Sequence, residues 1–247
     1  PFLVNGLMAL NGNPVSNIVA IASGSRHSLA LTRDGTVVGW GLNKDGQATG
    51  IPSTDLTYTN GLVTLDGTIL SNVVAIAAGW RHSVALRSDG TVVAWGSNAQ
   101  GQTDVPPNLN DVVALAPGGN EASTQVIAIK NDGQIVAWGG GAEQMDLPEG
   151  LTNVIAASVG SFHSLALIAD TPPTIEAPQL SSPEWDPYHF KVTCPTDRGR
   201  IYSLEYKNSL TDPDWIPASL ILGTGYEQEL SESNPSVSNR FYRVRRW

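Results

Sequence analysis

Four stretches of this chain repeat one pattern: NIVAIASGSRHSLALTRDGTVVGWG from Asn17, NVVAIAAGWRHSVALRSDGTVVAWG from Asn72, DVVALAPGG followed by VIAIKNDGQIVAWG from Asp111, and NVIAASVGSFHSLALIAD from Asn153. Self-similarity at a spacing of roughly 40 to 55 residues marks units that cannot bury an apolar face alone and must stack on copies of themselves. Within each unit, runs such as VVAIAAG, HSVALRS and TVVAWG are short, apolar or alternating, and rich in β-branched residues, as buried or half-buried strands are. Asp34-Gly35, Asp89-Gly90 and Asp132-Gly133 separate the second run from the third and predict hairpins closed by two-residue type I′ turns. Trp40, Trp95 and Trp138 each stand before a glycine at the end of the third run, where a large ring fills the wedge between units and the glycine lets backbone pass closely.

Composition narrows the function classes. The 247 residues are 41% hydrophobic and 15% charged, with 25 Gly and 16 Pro, as expected of many short strands joined by tight turns. No run of about 18 apolar residues occurs, so no helical membrane span is expected. Cys194 is the sole cysteine, which excludes an intrachain disulfide and leaves the redox compartment open. A formal net charge of -9 argues against a nucleic-acid partner, because phosphate neutralisation needs a Lys/Arg surface.

The recurring GxxHSLAL, DGTVVAWG and following NxxGQ resemble the repeat of the regulator-of-chromosome-condensation family. That resemblance implies a β-propeller with four-stranded blades, about four of an expected seven being present over residues 1–170. Its structural positions are Gly24/His27, Gly79/His82 and Gly160/His163, the three Asp-Gly pairs, and the three Trp-Gly pairs. Unit three departs from it, with an extended GGNEASTQVIAI segment and Gln125 where the others carry His. The opening residues 1–16 align with the segment from Leu56 and read as the tail of an earlier unit, and the fourth unit stops at Ala169-Asp170 before a Trp-Gly strand. The chain therefore reads as the C-terminal part of a longer propeller, an open arc rather than a closed ring.

Thr171-Pro172-Pro173 ends the repeats and marks a joint. Over residues 171–247, HFKVTCP, RIYSLEYKNS, TGYEQELSE and NRFYRVRRW alternate between turn residues and predict a small antiparallel β-sandwich. The segment from Tyr202 to the end resembles a fibronectin-like terminal module of repeat-bearing bacterial surface and secreted proteins, which implies an extracellular or cell-surface location. The fold class is thus all-β, a partial propeller followed by a sandwich.

No catalytic site emerges. His27, His82 and His163 recur with the same neighbours Ser28, Ser83 and Ser164, whereas a general base is one residue in an asymmetric constellation. A structural role is expected, with ring nitrogens bonded to backbone near a blade turn. No HExxH or His/Cys cluster points to a metal, the Asp-Gly turns supply too few oxygens for calcium, and no phosphate or dinucleotide fingerprint occurs, so no cofactor is expected. Asp212 and Asp214 around Pro213 read as turn formers, and Arg240, Arg243, Arg245 and Arg246 as the charged face of an edge strand. The resulting reading is a non-catalytic protein-binding scaffold. One alternative is carbohydrate binding, through exposed Trp80 or Trp215 or through the C-terminal module; another, implied by the resemblance, is guanine-nucleotide exchange on a small GTPase.

Overall fold

A computed structural model describes residues 9–10, 13–54, 58–121, 124–140, 147–148, 150–170, 178, 180–185, 188–197, 200–233, 235 and 240–246. All regular structure among them is β. A two-rung hairpin, β1 (Ala9–Leu10) and β2 (Asn13–Pro14), precedes a four-stranded antiparallel sheet of β3 (Ile18–Ser23), β4 (His27–Thr32), β5 (Val37–Leu42) and β6 (Tyr58–Leu62). A second small hairpin, β7 (Thr64–Leu65) and β8 (Thr68–Ile69), leads to a three-stranded sheet of β9 (Val73–Ala78), β10 (His82–Arg87) and β11 (Val92–Gly96). The third sheet holds β12 (Val112–Gly119), β13 (Thr124–Lys130) and β14 (Ile135–Trp138), and the fourth β15 (Val154–Val159) and β16 (Ser164–Ile168). Among the described residues only the first sheet therefore has the four strands expected of every unit. The tail expected in residues 1–16 is described only in part, since residues 1–8 and 11–12 lie outside the described residues, as does the joint at 171–173.

The innermost strands β3, β9, β12 and β15 pack each on the next and line one open groove through Ala22, Ile76, Ala77, Leu115 and Ala157. Among the described residues the sheets do not close into a ring. In the first three units the second strand is sealed by its neighbours: Leu29, Leu31, Val84, Leu86, Ile127 and Ile129 are all buried. At the end of the arc their counterparts Leu165 and Leu167 are 65% and 59% exposed.

Every inner pairing carries a bulge at the second residue of the inner strand, at Val19, Val74, Val113 and Ile155. Its cause lies just upstream. Asn17, Asn72, Asp111 and Asn153 all have φ between 55 and 58°, the left-handed region that Asn and Asp tolerate best. Each turns its carbonyl to accept from the turn of its own unit, at Arg33, Ser88, Asn131 and Ala169 (2.8–3.0 Å).

The hairpin turns differ from the expected type I′. Gly35, Gly90 and Gly133 have positive φ but Asp34, Asp89 and Asp132 do not. Gly35 N–H donates to Thr32 O and Thr32 N–H to Thr36 O, which is a type I turn followed by a glycine bulge. The carboxylates explain the switch: Asp89 Oδ1 accepts from Thr91 N (2.8 Å) and Oγ1 (2.6 Å), holding the aspartate right-handed.

The C-terminal part forms two further three-stranded antiparallel sheets. One orders β17 (Ser181–Trp185), β18 (His189–Pro195) and β21 (Glu227–Ser233); the other orders β20 (Ile216–Leu222), β19 (Ile201–Lys207) and β22 (Phe241–Arg246). Val192, Cys194, Tyr202, Leu204, Ile221, Leu230 and Val244 share a core between them. This part also joins the repeats, because Ile201 and Leu220 pack into the repeat core beside Val19, Val73 and Val112. Two bonds pin it to the Asp-Gly turn end of the arc: Leu220 N–H to Arg33 O (3.1 Å) and Arg245 to Ser88 O (2.8 Å).

Candidate functional site

Each GxxH motif is a packing device. A Cβ placed on Gly24, Gly79 or Gly160 would come within 2.3, 2.1 or 2.7 Å of Cε1 of the histidine three residues on, so only glycine admits the folded-back ring. His27 Nε2 then meets Ser83 Oγ of the next unit at 2.8 Å rather than backbone. Ser83 donates onward to the carbonyl of Gln47 (2.8 Å), which also accepts from Trp95 Nε1 (3.1 Å). A side-chain relay thus stitches the first unit to the second.

The NxxGQ loops aim that carbonyl. Asn43 Oδ1 accepts from the backbone of Ala48 and Thr49, and Gln47 Oε1 from that of Asp45, so the loop folds on two buried amides. The second copy repeats this, with Gln100 N–H bonded to Gln102 Oε1 and Trp138 Nε1 to Gln102 O (3.1 Å). Trp95 and Trp138 are buried between units, whereas Trp40 on the first unit is half-buried.

Unit three changes the relay. Val126 stands where the others have serine, and neither ring nitrogen of fully buried His82 has a hydrogen-bond partner among the described residues. Gln125 takes the histidine's place and accepts from Ser164 Oγ of unit four at 2.8 Å. His163 lies exposed at the open end. Burial lowers His27 and His82 to about 4, so both rings are neutral at neutral pH. Among the described residues no three His, Cys, Asp or Glu side chains gather around a possible metal position.

The loops between first and second strands form the end of the arc opposite the C-terminal sheets. Their tips are Ser25-Arg26, Trp80-Arg81, Asn120-Glu121 and Ser161-Phe162. Ser25, Arg26, Leu42, Trp80, Arg81 and Glu121 line a cleft of about 110 Å³, with Arg81 Nε paired to Asp45 at 3.1 Å. Asn120 Nδ2 donates to Ser161 O (3.1 Å), tying the tips of units three and four, and Phe162 is 76% exposed. Sequence reasoning expected Trp80 and Trp215 to be exposed, and both are half-buried. Trp215 is covered by cations, with the Arg243 guanidinium 4.3 Å and Lys207 Nζ 5.2 Å from its ring centre.

The C-terminal arginines are spoken for. Arg240 pairs with Glu232, Arg243 with fully buried Glu205 and Arg246 with Asp197, while Arg245 reaches Ser88. Burial raises the pKa of Glu205, and Arg243 opposes that rise. Asp212 is a turn former, accepting from the N–H groups of Asn208 (3.1 Å) and Ser209 (2.9 Å).

Comparison with known families matches residues 18–47 and 73–102 to the regulator of chromosome condensation (RCC1) repeat. Those two segments are RCC1-like repeats. Protein pim1 of Schizosaccharomyces pombe is 33% identical over 174 residues, covering 66% of this chain and 28% of that protein. A secretion-regulating guanine nucleotide exchange factor of Bos taurus is 35% identical over 96 residues, 34% of this chain and 19% of the relative. The chain therefore matches less than a third of either relative's length. The crystal structure of Prp20p from Saccharomyces cerevisiae, described with its binding to Gsp1p and histones, aligns over 89% of this chain and 66% of its own, at 20% identity and a TM-score of 0.48. Among the described residues no helix is long and apolar enough to cross a membrane.

Proposed function

We propose that this chain is a non-catalytic protein-binding scaffold, four blade-like repeat units of a propeller capped at one end by a β-sandwich. The carrying observation is the asymmetry of the arc. The C-terminal sheets occupy the Asp-Gly turn end through Arg245, Leu220 and Ile201, leaving the opposite loop end to a partner. There Trp80, Arg26 and Arg81 line one cleft and Phe162 stands exposed on the last loop, all on loops held by a rigid scaffold. Trp and Arg are residue types enriched at the energetic centres of protein interfaces. The buried, neutral histidines are structural in this reading, and the extracellular placement expected from the C-terminal module goes with it.

The test is recovery of the tagged chain with its bound proteins from extracts of its source. A partner should be lost on combining Arg26→Glu with Trp80→Ala and kept on replacing Tyr226, which is 72% exposed. A partner insensitive to the loop variants would refute the assignment of the face. Nucleotide exchange on a small GTPase is a second reading, supported by the similarity to the bovine exchange factor. Stimulated release of labelled GDP by this chain, abolished by the same loop variants, would move the proposal from scaffold to exchange factor.

A further inference from the structure

The C-terminal sheets carry an aromatic cleft that the repeat-face reading does not use. It measures about 740 Å³ and lies between Trp185 and Phe190 on one sheet, Tyr242 on the other, and the turn bearing Asn208 and Leu210. Phe190 and Tyr242 stack at 3.8 Å and 13°. Trp185 leans on both, 6.0 Å and 53° from Phe190 and 6.4 Å and 63° from Tyr242, yet remains 52% exposed. Its plane is thus buttressed from within while its surface meets water, a placement that leaves apolar area uncovered in the free protein.

Leu210 and Phe241, 69% and 40% exposed, add apolar surface, Asn208 and Ser209 are polar, and the charge of the lining is balanced. Arg240, the one charged residue in the lining, is paired with Glu232 and lies 3.9 Å over the Tyr206 ring, and Tyr242 donates its hydroxyl to the same Glu232 at 2.7 Å. Among the described residues the cleft therefore offers no unbalanced cation to an anion and no carboxylate to a cation. Asn208 is exposed on a turn that Asp212 fixes through two backbone bonds, so its amide, both donor and acceptor, is held at the rim.

We propose that this cleft binds a neutral, pyranose-based oligosaccharide, with Trp185 as the stacking platform and Asn208 at the hydroxyl-binding rim. A pyranose has the complementary chemistry: one face of C–H groups that suits the negative face of an aromatic ring, and a perimeter of hydroxyls that both donate and accept. The volume falls within the range of about 300–1,000 Å³ usual for small-molecule sites. A proline-rich peptide would need a series of parallel exposed ridges, whereas Phe190 and Tyr242 are stacked on each other and Trp185, with the smaller exposed ring of Phe241, supplies the open aromatic surface.

Isothermal titration of the intact chain with cellohexaose, xylohexaose, mannohexaose and chitohexaose tests this, with decaproline as the peptide probe. At least one sugar should bind, Trp185→Ala should weaken it by about tenfold or more, and Asn208→Ala by less. Trp80→Ala, at the far end of the molecule, should leave binding unchanged, which separates this site from the repeat face. Because Trp185 is half exposed, the variant should keep the wild-type circular dichroism, and Trp185→Phe should retain part of the affinity. Failure of all four sugars at millimolar concentration, binding indifferent to Trp185→Ala, or Trp185-dependent binding of decaproline alone would each overturn the proposal.

Discussion

The seam between the first and second repeats and the seam between the second and third are written in nearly the same letters, GSRHSLAL and GWRHSVAL, yet they differ at their centres. At the first, His27 finds Ser83, and Ser83 finds Gln47. At the second, the serine's place is taken by Val126 and buried His82 has no hydrogen-bond partner among the described residues. A ring nitrogen stripped of water and given nothing in return costs about 1–3 kcal/mol. The bond depends on two residues in different units, so the two departures of unit three act on two different seams: Val126 empties the one behind it, and Gln125 re-forms the one ahead with Ser164. A repeat can thus look intact by its own motif and still be joined weakly.

The largest expected effect concerns whether a seam is covered at all. Leu86→Ala in the sealed core should cost about 2–5 kcal/mol in chemical denaturation. The equivalent Leu167→Ala, 59% exposed at the open end, should stay within about 0.5 kcal/mol. Equal costs would show that β16 is covered in solution by another surface.

A smaller effect is set by pH. His27 and His82 are held at about 4 by burial, whereas an unfolded chain titrates at its ordinary histidine value. The unfolded state takes up protons first as pH falls below about 6.5, so stability is full above that value and declines towards pH 4. At pH 5.5 each ring should cost about 1–1.5 kcal/mol relative to pH 7. Replacing both by glutamine, the residue that unit three uses natively, should remove that part of the slope; an unchanged slope would mean the rings are hydrated.

Smallest is the coupling at the defective seam. Val126→Ser loses apolar burial but hands His82 the partner that His27 already has. It should cost about 1 kcal/mol less with His82 present than in a His82→Ala background. Zero coupling in that double-mutant cycle would show that the ring cannot reach the introduced hydroxyl.

Much of the fold was legible in the sequence because period and turn residues are local signals. The repeats, their strands and the position of every Asp-Gly hairpin could be read directly. The turn type could not, because it depends on Asp34 and Asp89 capturing their threonine neighbours, a competition between side-chain bonds and φ preference. The left-handed Asn17, Asn72, Asp111 and Asn153 left a visible signal, an Asn or Asp at one fixed offset, that the motif reading passed over. Ser83 and Gln47 acquire their roles only across a seam, through contacts 36 and 56 residues apart in sequence. The surface tryptophans were misread for a related reason. Whether Trp215 meets solvent is decided by where Arg243 and Lys207 lie, and no local pattern encodes that.

In the proposed reading the loop end of the arc, not the capped end, meets a protein partner. A photo-crosslinking amino acid at position 80, compared with one at position 226, tests it most directly in extracts of the source organism. A discrete protein adduct is expected from position 80, lost when Arg26 is reversed to glutamate, with none from position 226. The same adduct from both positions, or an adduct from position 226 alone, would contradict it.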